Sequence, residues 1–593
     1  MASSVSVIVV SYYTGPTLWL TIASALRQPE CREIIIVNNG NMTGVEKRLR
    51  DLAAKDLRVR LLSGHGNVGF GKANNMGVAV ATGDYVLLLN PDSLLFEGAL
   101  AKMLEEMERW PENTMAGCYL INPDGSEQRG GRRALLTPTN AAAESFGLGF
   151  LLPSEQRLNH NRLPMPEATH EVPAISGAFM MLSRSFYQRL GGFDEAYFLH
   201  MEDMDFCYRV HKAGGKVICV PSVRVMHFRS TSEVTSAFIE KFKAKGFIRY
   251  LEKFFSENTS KALLLLLRAG IYARLWMKII MGKIDSMFVP PLAGKQEIAR
   301  IALLYRLAEF EGREENLAGK TLMVTGSHSQ LGLCIIGKAL AQGAQVIAVD
   351  KEAPLLFNHT HLQWLQSDLS KDDGRAQCAA LKADVLFHAA PLELLADLLQ
   401  ELKESSVHRV IAFVDGLTKE ERDSEALAAL FRTARERMCD LTLLNPQVMY
   451  GVGLDRNITA IADIIRRYGN IPISGKGSGL RNPTYVLDVA DAALKAAENP
   501  ATYGRHYDIG GKESLGYRDM IMRIADYIGK PVRLVKVPYM PAIIGALGAI
   551  YQLPQLNAVM ARRMNRDISF DNQAAIEDFG YYPSGFLEKD VTL

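Results

Sequence analysis

A chain of 593 residues exceeds what one ordinary core holds, so two domains and a connector are expected. Hydrophobic residues at 48% and charged residues at 22% exclude wholesale disorder, and a net charge of +2 supplies no basic field for nucleic acid. Seven cysteines, odd in number and without a CxxC pair, exclude a disulfide framework and a zinc knuckle and fit a reducing compartment.

The opening residues, MASSVSVIVVSYY, run into β-branched residues without a basic leader. They predict a buried first strand, no signal peptide and a cytoplasmic protein. The runs VSVIVVS, EIIIVNN, RVRLLS and DYVLLLN, separated by helical stretches, predict a largely parallel sheet buried on both faces over residues 5–120. Residues 130–170, rich in Pro, Asn, Arg and Gly, read as a mobile loop region; AISGAFMMLS then resumes a fold that closes near residue 255. The next segment, KALLLLLRAGIYARLWMKIIMGK, carries Lys261, Arg268, Arg274, Lys278 and Lys283 with no acidic residue between its ends. Three charges inside 262–281 break the apolar run that a spanning helix needs. Two readings stay open: a helical connector lying on an anionic membrane surface, or a helix packed between domains. From Lys320 the strands TLMVTG, VIAVD, DVLFHAA and RVIAFVD alternate with helices, which predicts a doubly wound sheet. The expected organisation is α/β: a first domain over 1–255, a connector over 256–315 and a nucleotide-binding domain over 316–593.

Four constellations in the first domain carry chemistry. Asn38 and Asn39 end a strand, where open α/β sheets bind ligands, and their amides suit a pyrimidine edge; Asn also makes turns. GNVGFGKANNMG (66–77) holds four glycines, Gly69 among them, with Asn74 and Asn75, so backbone can approach a ligand at a helix start. In LLLNPDS, Asn90 precedes Asp92, a strand-end carboxylate of the kind a hard divalent cation takes beside a diphosphate; a helix N-cap is the plainer use. HMEDMDFCYRV then carries Glu202, Asp203 and Asp205, and His227 follows.

The ordered set over residues 3–250 resembles the family 2 glycosyltransferases of the GT-A fold, especially the rhamnosyltransferase-like branch that builds O-antigen and other envelope polysaccharides. The resemblance implies Asp92 as direct ligand to Mg²⁺ or Mn²⁺, with His227 a further contact to metal or diphosphate. Asn38 stands where many members have an Asp that contacts the base. Asp203 matches the catalytic base, and Glu202 beside it is the second candidate. Glu202 and Asp205 also suit structural roles, as partners of Arg209 or helix caps. One base without a covalent partner implies single displacement with inversion. The implied donor is dTDP-L-rhamnose, with UDP-linked hexoses the next choice. The implied acceptor is a polyprenyl-diphosphate-linked saccharide, reached by peripheral contact with the inner face of the membrane.

In the second half, VTGSHSQLG (324–332), Asp350, Asp368, FHAA (387–390), LNPQVMYGVG, NPTYVLDVADAALKA and GRHYDIGG resemble the extended short-chain dehydrogenase/reductases that epimerise or reduce nucleotide sugars. Gly326 and Gly332 keep two of the three glycines that admit a pyrophosphate, but Ser329 takes the middle place. The resemblance implies that Asp350 holds an adenosine ribose, favouring NAD, and that Asp368 contacts adenine. The family's Tyr-x-x-x-Lys is missing after residue 318, and the region GLTKEERDSEALAALFRTARERM has no tyrosine. Tyr208-x-x-x-Lys212 matches by spacing in the wrong domain. The expectation is a reductase-like domain without redox chemistry, serving as a scaffold or weak nucleotide binder. The alternative is a bifunctional enzyme whose second half makes or remodels the donor; a non-catalytic assembly factor is the third reading.

Overall fold

The computed structural model describes residues 3–145, 148–229, 236–288, 293–310, 316–402, 407–414, 424–455, 457–537, 564–568, 570–589 and 591–593. The chain divides into two compact units, Met1–Lys295 and Gln296–Leu593.

In the first unit, β1 (Val5–Ser11), β2 (Cys31–Asn38), β3 (Val59–Leu62) and β4 (Tyr85–Leu89) pair in parallel in the order β3-β2-β1-β4. These are the four runs read from the sequence. The sheet continues through strands less plain in the sequence: β5 (Ser93–Leu95), β6 (Thr114–Ile121), β10 (Phe179–Ser183) and the twelve-residue β11 (Lys216–His227), with order β4-β10-β6-β11-β5. Short strands β7 (Arg132–Arg133) and β9 (Ala174–Ile175) pair with each other, and β8 (His170–Glu171) adds to β11. AISGAFMMLS is thus two strands, β9 and β10, broken at residues 176–178. Residues 130–170 hold β7 and a helix instead of loop alone.

Strand alternation sends Val5, Val7 and Val9 to one core and Ile8 and Val10 to the other, so the sheet is buried on both faces. The helices α1 (Thr17–Leu26), α2 (Thr43–Lys55) and α4 (Ala99–Glu108) cover the first face. The opposite face is covered by α3 (Phe70–Ala79), α5 (Pro138–Ser145), α7 (Glu202–Lys212), α8 (Ser236–Phe255) and α9 (Lys261–Phe288), while α6 (Arg184–Arg189) follows β10. Gly77 lets α3 approach β1: a Cβ there would lie 2.4 Å from a methyl of Ile8.

The fold does not close near residue 255. Leu267, Ile271 and Leu275 of α9 belong to the same core as Tyr250 of α8, so α9 packs inside the first unit instead of forming a separate connector. The outward side of α9 carries Leu265, Leu266, Tyr272, Trp276, Met277 and Ile280, all exposed, Trp276 by 63%. At about 100° per residue they fall within an arc of about 140°, which makes them one stripe. Among the described residues no helix is long and apolar enough to cross a membrane. The helix α10 (Ala293–Tyr305) spans the boundary between the units.

In the second unit, β12 (Thr321–Thr325), β13 (Gln345–Asp350), β14 (Leu362–Gln366), β15 (Val385–His388), β16 (Arg409–Phe413) and β17 (Asp440–Pro446) form a parallel sheet with the strand His506–Ile509. The order is β14-β13-β12-β15-β16-β17 and then His506–Ile509. Strand order reverses between β12 and β15, as in a doubly wound nucleotide-binding fold. The helix α11 (Gln330–Ala341) follows β12 directly.

Candidate active site

A cleft of about 850 Å³ in the first unit opens at the carboxyl ends of the parallel strands. Asn39, Gly69, Asn90, Asp92, Glu202, Asp203 and His227 all line it. Residues far apart in the sequence therefore meet in one place.

At one side, Asp92 and His227 face each other because β5 and β11 are antiparallel neighbours, with His227 paired to Ser93. His227 Nε2 stands 3.0 Å from Asp92 Oδ1, and Asn90 Nδ2 lies 3.2 Å from the same nitrogen. Gln128 fixes the ring: its Nε2 donates to the His227 carbonyl at 2.8 Å and to Asn122 at 3.0 Å. Its Oε1 is thereby the acceptor for His227 Nδ1, 2.6 Å away. Nε2 thus faces a carboxylate oxygen with Asn90 Nδ2 beside it, a nitrogen–oxygen pair that a proton or a metal ion can bridge. Two ligands at adjacent corners of an octahedron about 2.1 Å from an ion stand about 3.0 Å apart, so the donor pair fits Mg²⁺ or Mn²⁺. Diphosphate and water would supply the remaining ligands. Among the described residues no group of three or more His, Cys, Asp or Glu gathers around a single point.

At the other side, α7 begins with Glu202 and Asp203 after two residues in the left-handed region, His200 (φ 67°) and Met201 (φ 75°). The turn is strained for side chains of this size, and it aims both carboxyls at the cleft. Gly246 of α8 leaves room for it; a Cβ there would lie 2.9 Å from the His200 carbonyl. Asp203 Oδ2 accepts from Arg133 Nη2 at 2.5 Å and from the Gly177 amide at 3.1 Å. Burial opposes the charge on Asp203, but Arg133 and Gly177 outweigh it and hold the carboxyl below its usual range. Glu202 has no such cation. Its Oε2 is buried with no hydrogen-bond partner among the described residues. Burial first, and the neighbouring charge of Asp203 next, push Glu202 up to about 8. Two adjacent carboxyls are thus set apart: Asp203 ionised and Glu202 protonated at neutral pH.

Several residues singled out by the sequence have other duties. Asp205 is fully buried and accepts from Arg209 and Lys253, both at 2.6 Å, which makes it an anchor for α7. Asn75 lies outside the cleft lining: its amide holds the backbone of Phe193 in both directions and accepts from Tyr187. Asn38 does not line the cleft either; its Oδ1 accepts from Asn41 Nδ2 and from the amides of Gly40 and Asn41, closing a turn. Asn39 reaches the cleft and pins the next loop, bonding Asn67 Oδ1 at 2.9 Å and the Val68 amide at 3.1 Å. The first amide of α3, at Phe70, donates to the Phe198 carbonyl, so that helix start is closed to an anion. Gly69 (φ 89°) permits this contact, since a Cβ would stand 2.7 Å from the Phe198 carbonyl oxygen.

Arg133 and Gln128 were not singled out by the sequence reading. Their signal is the polar EQRGGRR before a region read as loop; nothing local says which carboxylate or ring they reach.

In the second unit Gly326 (φ 69°) stays glycine because a Cβ would meet the Ala389–Ala390 backbone at 2.5 Å, and Gly332 because its Cβ would meet the Gly326 carbonyl at 2.4 Å. Ser329 Oγ caps α11 by accepting from the Gly332 amide at 3.0 Å. Asp350, expected to hold a ribose, instead accepts from the His328 amide at 3.0 Å and the Glu352 amide at 3.2 Å. His328 is buried, with Nε2 3.0 Å from the Ala353 carbonyl and its ring over Trp364. Burial works against the Asp350 charge, yet the contacts with His328 keep the carboxyl below its usual range. Loop amides thus engage both oxygens of the ribose-type carboxylate, and the His328 ring nitrogen Nδ1 lies 3.5 Å from one of them, a crowding that counts against a ribose there. Asp368 is turned toward Ser370, accepting from its amide and hydroxyl. The region expected to carry the missing tyrosine lies partly outside the described residues, at 415–423.

The first unit is a GT-A-like domain with its cleft at the strand ends, and the second a Rossmann-like domain of the epimerase type. Comparison with known proteins agrees. Residues 6–191 match glycosyl transferase family 2, residues 159–233 the N-terminal domain of galactosyltransferase, and residues 426–510 the NAD dependent epimerase/dehydratase family. The N-acetylglucosaminyl-diphospho-decaprenol L-rhamnosyltransferase of Mycobacterium tuberculosis is 29% identical over 257 residues, covering 39% of this chain and 78% of that one. The rhamnosyltransferase WbbL of Escherichia coli is 27% identical over 256 residues, covering 37% and 92%. Among solved structures, the UDP-glucose 4-epimerase of Thermotoga maritima is 18% identical with a TM-score of 0.36, covering 45% of this chain and 95% of that one. The protein is a glycosyltransferase: its first unit is a family 2 domain with rhamnosyltransferase homologues, and an epimerase/dehydratase-type domain is fused behind it.

Proposed function

We propose that the protein transfers a sugar, L-rhamnose from dTDP-L-rhamnose, to a lipid-linked saccharide in the synthesis of O-antigen or another envelope polysaccharide, by single displacement with inversion. UDP-linked hexoses are the next choice of donor. The observation that carries this reading is the shared cleft, with Asp92 and His227 on one side and Glu202 and Asp203 on the other. Asp92 and His227 would hold Mg²⁺ or Mn²⁺, which when bound would neutralise charge on the departing nucleoside diphosphate. Asp203, kept ionised by Arg133, accepts the proton of the acceptor hydroxyl as its oxygen bonds to C1 and the bond from C1 to the diphosphate breaks. A positioned base of this kind is worth about 10²–10⁴-fold. Glu202, protonated, is left able to donate a hydrogen bond to a bound ligand.

The second unit takes no part in the chemistry. Asp350 engaged by His328, Ser329 at the middle glycine and the missing Tyr-x-x-x-Lys all speak against a bifunctional enzyme. Peripheral contact with the inner face of the membrane is supported by the outward apolar stripe of α9.

The test is a donor screen that follows nucleoside diphosphate release with Mg²⁺ or Mn²⁺ present. Release from dTDP-L-rhamnose on addition of a lipid-linked saccharide, lost by at least a hundredfold in a folded Asp203→Asn variant, is the expected result. Full activity in that variant would remove the mechanism.

A further inference from the structure

A second group of charges occupies the part of the cleft built by α8 and α9. Arg229 follows β11 two residues after His227, Lys243 comes from α8, and Arg274 and Lys278 come from α9; all four line the cleft. Among the described residues, the acidic side chain that these two helices bring to the lining is Glu240. It pairs with Lys278 at 3.0 Å and stands 4.0 Å from Lys243.

The crowding is felt at Lys243. Burial lowers its hold on its proton; Glu240 opposes this, and the positive charges of Lys278, Arg274 and Arg229 add to the burial. An anion with several oxygens would relieve that repulsion and accept hydrogen bonds from all sides. A diphosphate has the right charge and reach.

Two neighbours say which diphosphate. His200, in the turn that aims Glu202 and Asp203, is influenced by both Lys243 and Asp203, so the cationic group adjoins the carboxylates that face the acceptor. Phe247 of α8, with Ile271 and Leu275 of α9, lines the cleft beside the cations, and the outer side of α9 is the exposed apolar stripe. Apolar lining next to an anion site suits a phosphorylated lipid better than a nucleotide.

We propose that Arg229, Lys243, Arg274 and Lys278 form the binding site for the diphosphate of a lipid-linked acceptor, with Phe247, Ile271 and Leu275 receiving its first isoprene units. The inference rests on reading the first unit as a transferase to a lipid-linked saccharide.

The experiment uses the full chain and two probes, farnesyl diphosphate and the nucleoside diphosphate product of the donor with Mn²⁺, each titrated calorimetrically into wild type and a Lys243→Gln/Lys278→Gln variant. Farnesyl diphosphate affinity is expected to fall at least tenfold in the variant, nucleoside diphosphate affinity to stay within twofold, and Lys243→Arg to bind both as wild type does. Circular dichroism melts check the fold; should the double variant not fold, Lys278→Gln carries the same comparison on a side chain that is 39% exposed. Equal losses for the two probes would assign the cations to the donor and overturn the inference while leaving the transferase reading intact. Wild type that binds the nucleoside diphosphate and not farnesyl diphosphate would do the same. Wild type that binds no nucleoside diphosphate would remove the transferase reading itself, and the inference with it.

Discussion

Glu202 and Asp203 are neighbours in sequence that titrate in opposite directions, because burial acts on both and the Arg133 guanidinium hydrogen-bonds only Asp203. The folded pKa of Glu202, about 8, lies above its ordinary value of 4.5. Between those two pH values the folded state holds a proton that the unfolded state has lost, so this group makes stability fall as pH rises through that window. Glu202→Gln removes the titration. Its melting temperature should therefore exceed that of wild type by more at pH 8 than at pH 5; equal differences at the two pH values would refute the assignment. A second prediction concerns the other side of the cleft. Asp92→Ala and His227→Ala should each weaken Mn²⁺-dependent nucleoside diphosphate binding at least tenfold in calorimetry, and EDTA, which weakens wild type, should leave the variants unchanged. Asp92, Asp203 and His227 were singled out in the sequence by residue type and order, and the fold brings all three to one cleft. Arg133 was not, since its carboxylate partner lies 70 residues further along the chain. Asn75 was assigned to the donor for a related reason: its bonds to Phe193 span 118 residues, and no local pattern announces them.

At the scale of elements, α9 shows how tertiary packing decides what a mixed sequence does. The basic residues of KALLLLLRAGIYARLWMKIIMGK do not share one face, and this left its reading open between a membrane surface and a domain contact. Packing against α8 settles the orientation: Leu267, Ile271 and Leu275 turn inward, while Leu265, Leu266, Tyr272 and Trp276 turn outward. The outward stripe from Ala262 to Ile280 runs about 27 Å at 1.5 Å per residue. A stripe of that length with aromatic residues suits a lipid interface, where burying each large side chain contributes about 1.5–3 kcal/mol. Trp276→Glu is expected to lower binding to anionic phosphatidylglycerol vesicles at least tenfold in co-sedimentation, with helix content unchanged by circular dichroism. Unchanged co-sedimentation would leave this face without a lipid role. Strands were the most legible elements. Val5–Ser11 appears as read, since alternate residues meet two apolar cores and five of its seven positions are apolar. The twelve-residue β11 was less plain, because Pro221 interrupts its apolar pattern and its register shifts between Val220 and Arg224.

For the whole molecule, the two units share α/β architecture but differ in what their strand ends offer. The first leaves a cleft whose polar groups await ligands; the second closes its glycine loop with His328 and Ser329. Millimolar NAD is therefore expected to stabilise the protein by less than about 0.4 kcal/mol, which corresponds to a dissociation constant above the ligand concentration. A thermal shift beyond about 1 °C at 1 mM NAD would contradict this, taking about 2–4 °C per kcal/mol for domains of such size. The sequence by itself determined the two α/β units, the order of the site residues and the loss of the reductase tyrosine, because alternation and residue type are local properties. Only the tertiary structure decided which carboxyl is ionised, which side of α9 stays bare and what covers Asp350. Each of those depends on charges and side chains brought together from distant parts of the chain, and the low-dielectric interior in which they meet exists only after folding.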